Sequence, residues 1–158
     1  MVRLNLSPGA DKQRGAAAIE FALLFLLFFV LFYALVSYAL VFMLQNAMVH
    51  AAEEGARAAI SIDPLAYSSR GDYINNGVIP EARTTVGEAL DWLPNAAKAQ
   101  VLGTNNANVQ ISVSNNVLTV QVRYANYRTN PLLPVLNFPG FGPIVPQSLQ
   151  GRAILRLS

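Results

Sequence analysis

From Phe21 to Leu44 the chain carries no charged residue, no glycine and no proline. Roughly two dozen helical residues, at about 1.5 Å each, cross a hydrocarbon core about 30 Å thick. A helix also satisfies its own backbone hydrogen bonds, which is what a single span in lipid requires. One charge, Glu20, sits at the N-terminal edge of this run, five residues after Gly15. The remaining sequence is read around that span.

The chain has 158 residues, room for one membrane helix and one small domain. Hydrophobic residues make up 53% and charged residues only 13%, and the apolar span accounts for most of that imbalance. There is no cysteine, so no disulfide framework, thiolate metal site or cysteine nucleophile is available. The net charge of +2 is a property of the N-terminus. Of 11 basic residues Arg3, Lys12 and Arg14 precede Ala16, and of 9 acidic residues Asp11 does, so the remainder carries eight of each. That balance argues against nucleic-acid binding, which needs a concentrated basic face.

Met1 to Gly15 is short, polar after Leu6 and broken by Pro8-Gly9. Its basic residues are expected to stay cytoplasmic, which places everything after Leu44 outside. An ordinary cleaved signal peptide has an apolar region of about 7 to 15 residues, much shorter than this one. Ala16 to about Ile60 reads as one continuous helix, rich in Ala, Leu, Met and Glu and unbroken before Gly55. Phe21, Phe25, Phe28 and Phe32 form an aromatic stripe whose simplest reading is lipid-facing bulk. After Leu44 polar residues alternate with alanines. Glu53 and Arg57 are spaced for an i,i+4 pair, while Ala47, Ala51, Gly55 and Ala58 leave a small-residue surface open to close approach. The helix is therefore expected to leave the membrane near Gln45, continue as an amphipathic spine and end at Asp63-Pro64.

Beyond the spine, Leu65 to Pro80 reads as a loop, with turn signals at Ser68-Ser69, Gly71-Asp72 and Asn75-Asn76-Gly77. A second helix is predicted over about Glu81 to Leu93, with Val86, Ala89, Leu90 and Leu93 on one face. A short helical piece follows to Leu102, stopped by Gly103. Val109, Ile111 and Val113 alternate with polar residues, as do Leu118, Val120 and Val122. A two-residue turn at Asn115-Asn116 pairs Val113 with Leu118, Ile111 with Val120 and Val109 with Val122, and puts all six on one face. Arg128 to Gln147, with Pro131, Pro134, Pro139, Pro143 and Pro146 among Leu133, Val135, Phe138 and Phe141, reads as a long ordered loop. Arg152 to Leu157 reads as a third antiparallel strand. The expected fold class is α+β: a long N-terminal transmembrane helix, short helices and a three-stranded antiparallel sheet.

Little here points to catalysis. His50 is the only histidine and cannot make a usual zinc site without cysteine or a second histidine. No G-x-S-x-G, G-x-G-x-x-G or phosphate loop occurs. No cofactor, metal or small-molecule substrate is expected, and the protein reads as a non-enzyme. Glu20 stands apart, because a carboxylate at a membrane helix is costly to bury and is a functional-site hypothesis by default. Its bland reading is a headgroup-layer residue that favours the positive end of the helix dipole.

A short basic leader ending in glycine, a glutamate five residues later and then an apolar helix resembles the class III signal peptides of type IV pilins and pseudopilins. The longer match, R-G-A-A-A-I-E-F-A-L with N-A-M-V-H-A-A-E-E-G-A-R-A-A downstream, resembles TadE-like pseudopilins of the tight-adherence (Tad/Flp, type IVb) pilus system. Major Flp pilins usually carry Glu-Tyr where this chain has Glu20-Phe21, and they are shorter, so the resemblance favours a minor pilin. It implies a leader over residues 1–15, cleavage between Gly15 and Ala16, and an N-terminal helix over 16–62. Of that helix, 16–44 would be transmembrane and 45–62 spine, followed by an extracytoplasmic domain over 63–158. It also implies assembly roles for Glu20 and Phe21. The implied partners are a membrane prepilin peptidase, other pilins or pseudopilins of the same fibre, and the inner-membrane assembly platform. The implied location is the inner membrane with the N-terminus cytoplasmic, or the surface pilus. The alternative is an uncleaved single-span protein whose outer domain binds a ligand or regulates a partner.

Overall fold

The structure, a computed structural model, describes residues 10–132, 137–138, 142–143 and 145–157. Most of the leader, and Leu133, Pro134, Val135, Pro139 and Phe141 of the proline-rich segment, lie outside the described residues. The fold is α+β, as expected. Helix α1 spans Ala10–Ile60. Then follow a 3-10 turn at Pro64–Ala66, α2 at Arg70–Asp72, a π-helical turn at Tyr73–Val78 and α3 at Ile79–Ala89. Helix α4 is Asn95–Leu102. Strands β1 (Val109–Ser114), β2 (Val117–Tyr124) and β5 (Leu149–Arg156) form an antiparallel sheet in the order β1-β2-β5. Two-residue strands β3 (Asn137–Phe138) and β4 (Gly142–Pro143) pair separately. The chain divides into two units, Met1–Ala39 and Leu40–Ser158.

The second unit is built on the last five turns of α1. Val41, Leu44, Met48, Ala51, Ala52, Ala56 and Ala59 are buried at spacings of three and four, one face of a 3.6-residue helix. The small residues of this face permit two close approaches. A Cβ on Gly55 would stand 2.6 Å from Val86 Cγ2 and 2.8 Å from the Ala82 carbonyl oxygen, so α3 crosses α1 there. A Cβ on Gly151 would stand 2.2 Å from the Met48 carbonyl carbon and oxygen, so β5 touches the backbone of α1 itself. Glycine inside an alternating strand is the usual mark of such an approach. The expected Glu53–Arg57 pair does not form: Arg57 Nη1 instead donates to Glu54 Oε1 at 3.3 Å, one residue closer along the helix.

The sheet follows the expected register, with Val109, Ile111 and Val113 opposite Val122, Val120 and Leu118. Asn115 and Asn116 take φ of 48° and 63°, the left-handed pair of a type I′ turn whose twist matches the strands. Burial is uneven across the shared face. Leu118, Val120 and Val122 of the central strand are fully buried, whereas Ile111 and Val113 on the edge strand are only half-buried.

The segment expected as a loop over Leu65 to Pro80 is mostly helical instead. Ser69 Oγ accepts from the Asp72 N–H at 3.1 Å and caps α2, which runs through the π turn directly into α3. Asn76 donates to the Asp72 carboxylate at 2.5 Å, one helical turn away, and the Arg70 guanidinium reaches Asn116 of the hairpin turn at 2.5 Å. Gly77 is there for packing rather than for a turn: a Cβ would meet the Tyr67 hydroxyl at 2.7 Å. The wide turn lies just before Pro80, whose ring would clash with the carbonyl four residues back in a regular helix; the Ile79 N–H bonds to Ile74 O instead. Helix α3 ends at Ala89, earlier than expected, yet Val86, Leu90 and Leu93 are buried and Ala89 half-buried as the spacing predicts. Gly103, at φ 73°, stops α4.

The described ends of the proline-rich segment are tied to each other. Arg128 Nε and Nη2 donate to the Val145 carbonyl at 3.1 and 3.0 Å. Tyr127, almost fully buried, packs edge-on against Tyr124 with ring centroids 5.6 Å apart. The Tyr124 hydroxyl donates to the Asn130 carbonyl and lies 3.2 Å from Gln100 Oε1.

Candidate assembly segment

The four residues singled out by sequence, Gly15, Ala16, Glu20 and Phe21, all lie in the first unit on α1. A helix carries Ala16 and Glu20 to nearly the same side, one turn and about 6 Å of rise apart. Gly15 differs from the glycines that the second unit requires. A Cβ there would meet nothing within 4 Å, and its φ is not left-handed. Glycine inside a helix costs roughly 0.8–1.0 kcal/mol relative to alanine. Neither packing nor backbone conformation explains the residue; Gly87 of α3 shares that property.

Glu20 is exposed, and among the described residues no group pairs with it. It sits at the start of an apolar run of α1 whose side chains are largely exposed among the described residues. Ile19 is 64% exposed, Phe21 69%, Leu27 66% and Phe42 67%. Residues Gly15–Ile60 include an apolar window of mean hydropathy 2.7, none of it buried. This helix is long and apolar enough to cross a membrane. Such a surface is stable only against lipid or other helices, because roughly 25 cal/mol for each Å² of apolar area opposes its contact with water. The aromatic stripe resolves into two ladders at i,i+4 spacing. Phe21, Phe25, Phe29 and Tyr33 succeed one another with centroids 6.2, 6.3 and 6.4 Å apart, and Phe28 and Phe32 pair at 6.1 Å. The side chains of the basic residues before Gly15 lie outside the described residues.

Among the described residues no group of three or more His, Cys, Asp or Glu side chains is placed to hold a metal ion. His50 lies 4.0 Å from Glu54, both on the accessible side of α1. One open groove of about 330 Å³ lies in the second unit between α1 and β5, lined by Glu53, Arg57, Arg152, Ala153, Ile154 and Leu155. Sequence reading missed it, because Arg152 to Leu157 was read only as a third strand.

Neither the curated proteins nor the solved structures contain a match to the chain. A family model does match, over residues 15–57, and its description is TadE-like protein. The match begins at Gly15 and ends within the small-residue face of α1. It covers the apolar helix and the following turns of α1 to Arg57 but not the sheet. It points to involvement with the Tad pilus system and to a structural rather than catalytic family, and the apolar helix points to membrane anchoring. The segment from Gly15 to Arg57 is thus similar to TadE-like proteins, and the α+β domain that follows it lies outside that similarity.

Proposed function

We propose that this chain is a minor pilin of a Tad/Flp pilus, cut between Gly15 and Ala16 by a membrane prepilin peptidase and assembled through its N-terminal helix. The observation that carries this reading is the Glu20 carboxylate, unpartnered among the described residues, at the start of the exposed apolar run of α1. Cleavage would free the α-amine of Ala16. In a bundle of such helices the Glu20 carboxylate of one subunit neutralises the Ala16 amine of a neighbour. Each charge alone is costly in an apolar environment, and pairing lowers that cost. Gly15 fits the same reading, since a residue without a side chain lets the backbone enter a peptidase cleft. The partners are then the peptidase, other pilins of the fibre and the assembly platform of the inner membrane. The second unit lies outside the cytoplasm.

Intact-mass measurement of the membrane-extracted protein tests the first step. Loss of Met1 to Gly15 is expected in cells with an active prepilin peptidase, together with retention of the leader when that peptidase is inactivated. A chain that keeps Met1 in the presence of active enzyme refutes the pilin reading and returns the protein to an uncleaved single-span anchor.

A further inference from the structure

We infer that the free edge of β5 is a docking site for an extended acidic strand of a partner protein. Among the described residues, the sheet order β1-β2-β5 leaves one long side of β5 unpaired. Two hydrogen bonds fix which residues face outward. The Arg123 N–H donates to Asn108, away from β5, so the Arg123–Gln150 pair exchanges no ladder bonds. The Leu157 N–H donates to Asn116, so residue 157 faces β2. Alternation between these points directs the N–H and C=O of Gln150, Arg152, Ile154 and Arg156 away from β2. Gln45 of α1 donates to the Gln150 carbonyl at 2.5 Å and closes that end. Among the described residues no partner meets the outward backbone groups of Arg152, Ile154 and Arg156. An unpaired row of this kind is a template for another strand.

The groove of about 330 Å³ runs along this edge, with Glu53 and Arg57 of α1 on its other wall. Arg152, Ile154 and Arg156 are all exposed, Ile154 at 53%. The strand thus presents an apolar residue between two cations, while on the α1 wall Glu53 offsets Arg57, which is itself paired with Glu54, so the charge preference rests on Arg152 and Arg156. Opposite charges on directly facing strand residues attract and like charges repel. A second copy pairing through the same edge, in the antiparallel register centred on Ile154, sets Arg152 against Arg156 of the other chain. The arginines therefore oppose self-pairing at fullest overlap. They favour a partner strand with carboxylates two residues to either side of an apolar side chain. This inference does not depend on leader cleavage.

The test uses the full chain in detergent micelles and a blocked synthetic peptide with the core Glu-Thr-Val-Thr-Glu. Binding is followed by fluorescence anisotropy of the labelled peptide, and amide hydrogen exchange is read by residue. The expected result is saturable binding with slowed exchange at Arg152, Ile154 and Arg156 and no change in β1. Methylating alternate peptide nitrogens should abolish binding. Ile154→Pro removes one outward N–H without touching the β2 ladder, a place where proline is tolerated, and should also abolish it. Arg152→Glu with Arg156→Glu should weaken the glutamate peptide about tenfold or more and confer binding of its lysine counterpart. Absence of binding by the native chain, undiminished binding of the methylated peptide, or an unchanged charge preference in the double variant overturns the inference. Concentration-dependent protection of the same three amides without peptide overturns it too, by making the occupant a second copy.

Discussion

The contact between Gly151 and α1 offers the sharpest test of how the second unit is held together. In Gly151→Ala the new methyl would sit 2.2 Å from the Met48 carbonyl carbon and oxygen and 2.4 Å from the Val49 nitrogen. Ordinary contact begins near 3.4 Å. The obstacle is helix backbone, with no side chain that could rotate away, so strand and helix must separate by about 1 Å. Overpacking of this kind costs typically 1–3 kcal/mol, and a rigid backbone obstacle puts Gly151→Ala near or above about 3 kcal/mol. That is a large share of the roughly 5–15 kcal/mol that holds a domain folded. Urea unfolding of the full chain in detergent, followed by protease resistance of the second unit, should show the midpoint falling by about 1.5 M. Gly87→Ala is the paired control. Its methyl meets nothing within 4 Å, and it lies in α3, so it should raise stability by up to about 1 kcal/mol. A Gly151→Ala protein with an unshifted midpoint would mean that β5 does not rest on the backbone of α1.

Four further outcomes are expected. On the proposed pairing, Glu20→Gln should leave a cleaved, inserted protein at normal level that fails to support pili, because breaking a desolvated ion pair costs roughly 3–5 kcal/mol, about two to nearly four orders of magnitude in association; normal pilus counts beside a normal immunoblot would return Glu20 to the membrane edge. Val120→Asp should abolish protease resistance of the second unit, whereas Ile111→Asp, on the half-buried edge strand, should be the milder of the two; equal loss would contradict the burial gradient across the sheet. Burial pushes the Tyr124 and Tyr127 hydroxyls above their ordinary range, with Tyr124 adding repulsion at Tyr127. Their contribution to stability is complete below the unfolded tyrosine pKa of about 10 and lost as pH rises through the folded values, so alkaline unfolding should shift upward in Tyr127→Phe. Hydrogen bonds from Asn76, then from the Ser68 backbone and hydroxyl, hold the Asp72 carboxyl below its ordinary value against a small opposing effect of burial. That contribution is present above about pH 4 and fades as the carboxyl protonates, so protection of the Ser68 amide relative to its intrinsic exchange rate should fall in acid, and should be low in Asp72→Ala at every pH.

Local rules were enough for the parts of this protein whose causes are local. The apolar run of α1 is set by composition, and the hairpin by alternation on either side of Asn115-Asn116, because a one-residue slip would turn every side chain to the other face. The candidate residues Gly15, Ala16, Glu20 and Phe21 were proposed from spacing and resemblance alone, signals that involve no tertiary partner. Where sequence reading went astray, a distant contact outweighed a local preference. Asn75-Asn76-Gly77 carries turn residues, yet Ser69 caps a helix before it, Asp72 and Asn76 bond across one turn, and Gly77 is required by the Tyr67 ring rather than by a bend. Glu53 and Arg57 have the spacing of a pair, but rotamer choice brought Arg57 to Glu54. Sequence also marked the alanines and Gly55 of α1 as a surface for close approach without naming what approaches. That was decided by α3 at Gly55 and by β5 at Gly151, two glycines that lie 96 positions apart in the chain. Which strand edge stays open, and which charges line it, depends on the order of strands in the sheet, and strand order is a property of the packed chain rather than of any local pattern.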